Sequence, residues 1–160
     1  MPEVTLDARV PGTDPRTVFD RLADFAAYPR YTDAVREVTI TDVDHGVIAS
    51  HWSVNFRNGV LCWSEHDRID PAALTIEFAQ VEGDFDTFAG AWLVTVDGSD
   101  VLVRFTAAFD LGMPSLAAII DPVACRALAE AITRILHGLF GEHVPVTEPA
   151  PAGASVPQGT

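Results

Sequence analysis

Between Val35 and Asp110 apolar and polar residues alternate with a period of two. Turn signals interrupt this pattern at DHG (44–46), RNG (57–59), DPAA (70–73), GDFD (83–86) and DGSD (97–100). Alternation broken at such short intervals predicts an antiparallel meander of six strands. The period then changes. From Ser115 to Phe140 the apolar residues Ile120, Ala124, Leu128, Ala131, Ile135 and Leu139 fall on one helical face, and Gly141 ends the helix.

Upstream, VTLDARV (4–10) reads as a strand with Val4, Leu6, Ala8 and Val10 inward. PGTDP breaks it. Asp14 then caps a helix with Pro15 at its first position, and Val18, Phe19, Leu22 and Phe25 follow at helical spacing. That helix stops ahead of Pro29, because the residue before a proline is pushed out of the helical region. The order is strand, helix, short helical connection, six strands, long helix. It defines an α+β fold, a bent antiparallel sheet of about seven strands wrapped on a long C-terminal helix. A concave sheet closed by one helix can enclose a ligand cavity. Residues 1–140 form a single domain by this reading. Residues 141–160, rich in Pro, Ala and Gly, form a mobile tail.

The turns also predict register. Asn58-Gly59 is a two-residue hairpin signal. It sets Phe56 opposite Leu61, Val54 opposite Trp63, Trp52 opposite Glu65 and Ser50 opposite Asp67. Continued across the sheet, one row reads Trp52, Glu65, Phe78, Trp92, Phe105. Its neighbours read Val54, Trp63, Gln80, Gly90, Ala107 and Ser50, Asp67, Ile76, Val94, Val103. At the turns after this hairpin, neighbouring rows could shift by two residues, which leaves the faces intact.

Glu65 therefore points inward among aromatic residues, with Asp67 one step along the same face. The Gln80, Gly90, Ala107 row carries little bulk where a filled core would be close-packed. Such a face suits a ligand cavity. A carboxyl desolvated by Trp and Phe has its pKa raised, which fits acid–base work near neutral pH. Glu65 and Asp67 are the candidate catalytic acids, and Gln80 is a candidate to hold a carbonyl or enol oxygen. Trp52, Val54, Phe56, Trp63, Phe78 and Phe88 are candidate ligand contacts from the sheet, as are Gly90, Trp92 and Phe105. Tyr31 and Leu128 are added from the helical segments.

Other chemistries fit less well. Net charge is −13, which disfavours nucleic acid and anionic membranes. All ten basic residues are Arg, so Schiff-base chemistry and a Walker-type phosphate loop lack their lysine. Cys62 and Cys125 match neither a disulfide framework nor a zinc spacing. Ser64 and His66 point away from Glu65 and Asp67, so the run SEHD is no triad. His51 and His66, opposite each other on the outer face by this register, lack a third ligand, so no metal or other cofactor is expected. No apolar run reaches membrane-spanning length, and the first residues do not resemble a signal peptide, so a cytoplasmic location is expected.

The segments DFAAYPRYTDAV, LCWSEHDRID, FAQVEGDFDTFAGAW and VRFTAAFDLGMPSL, followed by the long helix, resemble the polyketide cyclase/aromatase branch of the START and birch-pollen-allergen superfamily. Coenzyme Q-binding members look similar. The resemblance covers residues 3 to 140 and implies a helix-grip fold with an internal cavity. It implies a cyclase, aromatase or dehydratase acting on a polyketide-like molecule, with a place in antibiotic biosynthesis. The alternative it implies is a non-catalytic carrier of a quinone or lipid. In the aromatase branch a strand carrying W-x-W-x-S-x-R lines the cavity. Aligned on Trp63, this chain has Leu61, Trp63, Glu65 and Asp67 there, so a carboxyl stands at both functional places. A carrier protein delivering substrate is disfavoured by the negative charge, which leaves a free hydrophobic small molecule as ligand and a monomer or homodimer as the assembly.

Overall fold

The computed structural model describes residues 1–56 and 59–149, with the side chains of residues 42 and 43 left aside. The elements are β1 (Glu3–Pro11), α1 (Pro15–Ala23), a 3-10 turn (Phe25–Arg30), β2 (Val35–Asp44), β3 (Val47–Phe56), β4 (Gly59–Asp70) and β5 (Thr75–Gly83). They continue with β6 (Thr87–Asp97), β7 (Asp100–Asp110), a second 3-10 turn (Pro114–Leu116), α2 (Ala117–Phe140) and β8 (Val146–Thr147). The strands form one antiparallel sheet in the order β2-β3-β4-β5-β6-β7-β1-β8. The architecture is the expected α+β helix grip, with the short β8 added at the edge.

Alternation decides which face is inside. On β7, Val101, Val103, Phe105, Ala107 and Phe109 are all buried, and Val4, Leu6, Ala8 and Val10 answer them from β1. Helix α2 packs on this face through Ala124, Ile132, Ile135, Leu136 and Leu139. Helix α1 starts where expected. Asp14 accepts a hydrogen bond from the Thr17 backbone N–H at 3.0 Å, and Pro15 occupies the first turn.

The register differs from the expected rows in three of four hairpins. Trp52 pairs with Trp63, Ser50 with Glu65 and Ile48 with Asp67, a displacement of two residues. Between β4 and β5, Glu65 pairs with Gln80, and Phe78 pairs with Gly90 on β6. From β6 to β7 the rows stand as expected, with Trp92 opposite Phe105 and Gly90 opposite Ala107. Side chains repeat every second residue, so a two-residue displacement preserves both faces, and only packing selects among registers. Here the Trp52 and Trp63 rings stack with centroids 5.9 Å apart and planes 1° from parallel. The pairing closes at Phe56–Gly59, so the turn at Arg57 and Asn58 lies outside the described residues. An irregularity between Ser64 and Glu65 in the β4–β5 ladder absorbs one odd residue.

The same displacement separates the two outer-face histidines. His51 pairs with Ser64, and His66 pairs with Ala49. The His51 ring nitrogens contact Ser64 Oγ at 2.6 Å and Thr41 Oγ1 at 3.0 Å.

The first part of the expected tail is docked. Val144 is fully buried, Arg9 N–H donates to the Pro145 carbonyl at 3.3 Å, and β8 pairs with Asp7 and Ala8. The apolar side chains of Val144 and Val146 and a short ladder hold this segment in place. Residues 150–160 lie outside the described residues.

Candidate functional site

A cavity of about 120 Å³ lies between the concave sheet and α2. That is about ten times what one water needs. The sheet lines it with Trp52, Val54, Phe56, Trp63, Phe78, Phe88, Trp92 and Phe105, all expected from the sequence. Helix α2 contributes Leu128, also expected, with Ala124, Ala131 and Ile132. Glu65 is the one acidic residue among the described lining residues.

Glu65 is 3% exposed, and its Oε1 accepts the Trp63 indole N–H at 2.7 Å. Asp67 does not line the cavity. It lies behind Glu65, fully buried, and its Oδ2 accepts the Ser50 hydroxyl at 2.5 Å. Ser50 is itself buried and accepts the Trp52 indole N–H at 2.9 Å. Two hydrogen-bonded groups thus stand side by side on the inner face, Trp52–Ser50–Asp67 and Trp63–Glu65. Asp67 Oδ1 is a buried oxygen with no hydrogen-bond partner among the described residues.

Burial pushes the Glu65 carboxyl far above the ordinary carboxylate range, and the adjacent Asp67 raises it further, against the Trp63 and Ser50 hydrogen bonds. Burial raises Asp67 as well, while hydrogen bonds from Glu65 and Ser50 oppose the rise. Tyr28 lines the cavity from the first 3-10 turn, and its hydroxyl donates to the Leu22 carbonyl at 2.6 Å. Its pKa is raised by burial, then by the charges of Glu65, Asp67 and Asp24.

Besides Asp67, three expected site residues lie off the cavity. Gln80 pairs with Glu65 in the ladder, but its amide is taken up by a loop. Its Nε2 donates to the Phe85 carbonyl at 2.9 Å, and its Oε1 accepts the Phe85 N–H at 3.3 Å. Gly90 leaves no space over β6, because the Phe78 ring lies on it. A Cβ there would overlap that ring and the Thr106 carbonyl oxygen. Tyr31 packs on α2 at Gly138, where a Cβ would overlap its ring. Conversely, sequence reasoning did not assign Phe25, Tyr28, Asn55 or Phe85 to the lining, nor Ser50 to the site. Ser50 did carry a signal, being the lone hydroxyl on the inner face of β3, among Ile48, Trp52, Val54 and Phe56. Phe85 carried none, since it sits in a turn.

A bent antiparallel sheet gripping a long C-terminal helix over an apolar cavity is the helix-grip fold. The family described as polyketide cyclase / dehydrase and lipid transport matches residues 12–136, and the chain belongs to it. Several solved structures share the fold. Protein TTHA0849 of Thermus thermophilus superimposes with a TM-score of 0.79 at 23% identity, over 87% of this chain and 94% of that one. The Zhui aromatase/cyclase of Streptomyces sp. R1128 gives 0.73 at 18% identity, over 86% and 92%. A START superfamily protein of Mycobacterium smegmatis gives 0.73 at 16% identity, over 88% and 97%. No curated protein matches the sequence. No helix among the described residues is long and apolar enough to cross a membrane.

Proposed function

We propose that this protein is a polyketide cyclase/dehydratase-like enzyme acting on a free, flat, carbonyl-bearing hydrophobic molecule, with Glu65 as its acid–base group. The observation that carries this reading is that Glu65 is the one carboxyl among the described residues at the wall of a largely apolar, aromatic cavity. Stacked rings hold a planar ligand, and Trp63 fixes the carboxyl's orientation. In the reaction a C–H bond next to a carbonyl breaks. The proton passes to Glu65 in its ionised form, and the electron pair moves onto the carbonyl oxygen. The resulting enolate attacks a second carbonyl to close a ring. Glu65 then returns the proton to the alkoxide oxygen so formed, which a later dehydration expels as water. Asp67 supports Glu65 from behind, and no step is assigned to Gln80.

A second reading is a carrier of a quinone or lipid without turnover. The almost wholly apolar lining and the breadth of the family description favour it. Exchange of α-hydrogens for solvent deuterium in 2-tetralone, a flat bicyclic ketone, separates the two. Catalysis predicts exchange accelerated by the wild-type protein and reduced about 10²-fold or more by Glu65→Gln. Exchange rates equal to buffer, with ligand binding unaffected by Glu65→Gln, would leave the carrier.

A further inference from the structure

We propose that Glu65 and Asp67 hold one proton between them, so that the pair, and not Glu65 alone, is the acid–base unit behind the cavity wall. This deepens the proposed function, and its catalytic meaning rests on that reading.

Hydrogen-bond directions lead to it. An indole nitrogen only donates, so Ser50 Oγ accepts from Trp52 and has its own proton free for Asp67 Oδ2. Trp63 likewise only donates, so Glu65 Oε1 is an acceptor and any proton on Glu65 sits on Oε2. Asp67 Oδ1 is then left buried and unpartnered among the described residues, a costly state for a carboxylate oxygen. Glu65, buried two residues away on the same inward face of β4, is the acid that can supply the missing proton. The other titratable groups facing the pair do not compete. Tyr28, from the 3-10 turn, gives its proton to Leu22, and His66 points to the opposite face of β4. The α2 residues lining the cavity are apolar. Two adjacent buried carboxylates cannot both ionise at modest cost, which limits the pair to one charge.

The arrangement gives two forms of equal charge. With the proton on Glu65 and Asp67 ionised, Glu65 is an acid. With the proton passed to Asp67, Glu65 is a carboxylate able to take a proton from carbon. A lone buried Glu65 would stay protonated and serve only as an acid. When the pair takes a substrate proton, both carboxyls are protonated and the negative charge resides on the enolate. Asp67 does not line the cavity, so it is a positioning residue.

Carboxyl carbon NMR on protein labelled at Glu and Asp, followed from about pH 4 to pH 10, tests the inference directly. The wild type should show one carboxyl of the pair ionised at neutral pH and the second titrating on the alkaline side. Asp67→Asn should move the Glu65 titration down by about one pH unit or more, because the neighbouring charge is gone. Ser50→Ala should move the acid-side titration up, because the Asp67 carboxylate loses its donor. If Asp67→Asn does not fold, the wild-type and Ser50→Ala curves decide. Both carboxyls ionised at neutral pH, or a Glu65 titration indifferent to both substitutions, would overturn the shared proton. The two proposals fail separately. A shared proton without 2-tetralone exchange removes only the enzymatic reading, and exchange with two independent titrations removes only the shared proton.

Discussion

Residue 65 links local chemistry to stability. Its pKa is raised in the folded protein, chiefly by burial and then by Asp67, so the folded chain keeps a proton that the unfolded chain has released. Between the unfolded and folded pKa values the native state therefore binds more protons, and stability falls as pH rises. Glu65→Gln removes that dependence. Urea denaturation at a series of pH values should show the wild type losing stability above the ordinary carboxylate pKa, by up to about 1.4 kcal/mol per pH unit relative to the variant. Parallel curves would mean that Glu65 is not held protonated. The inward direction of Glu65 and Asp67 was legible in the sequence, because alternation along β4 leaves them no other face. What Gln80 does was not legible. Its amide is claimed by the Phe85 backbone, and that depends on the path of the chain between Gly83 and Asp86.

At the scale of elements, local rules carried most of the reading. The seven long strands, the α1 cap and the extent of α2 follow from alternation, Asp14-Pro15 and the 115–140 apolar periodicity. Register did not follow, because a displacement by two keeps every face and only ring packing distinguishes the choices. Gly90 shows the consequence. In the sequence it marked an unfilled place, whereas pairing with Phe78 makes it a seat for that ring. Gly90→Ala should therefore destabilise the protein by about 1–3 kcal/mol through overpacking, read as a lowered midpoint in thermal or urea denaturation. An unchanged midpoint would show the space above β6 to be open. The segment after α2 makes a similar point. Composition suggested a tail from residue 141, but Val144 finds a buried place that a local pattern of Pro, Ala and Gly does not announce. Val144→Asp should cost about 2 kcal/mol or more and expose β1 backbone amides to hydrogen exchange. Unaltered β1 protection would contradict the docking.

For the whole molecule, one long helix and one curved sheet enclose a space that neither could enclose alone. The sheet supplies the rings and the acid, and α2 supplies the small residues Ala124 and Ala131 opposite them. Membership of the polyketide cyclase / dehydrase and lipid transport family fits this division, yet the acids at residues 65 and 67 belong to this chain's own sequence and have to be tested in it. The most direct test of the account is indole N–H NMR of Trp52, Trp63 and Trp92 during titration with 1-naphthol, a flat apolar probe. All three side chains line the cavity, and Trp63 hydrogen-bonds Glu65. Saturable shifts are expected in the indole signals of Trp63 and Trp52, with the Trp63 response altered in Glu65→Gln. Indole signals that stay fixed while the outer-face residues around His51 and Ser64 respond would place the binding surface on the wrong side of the sheet and contradict it.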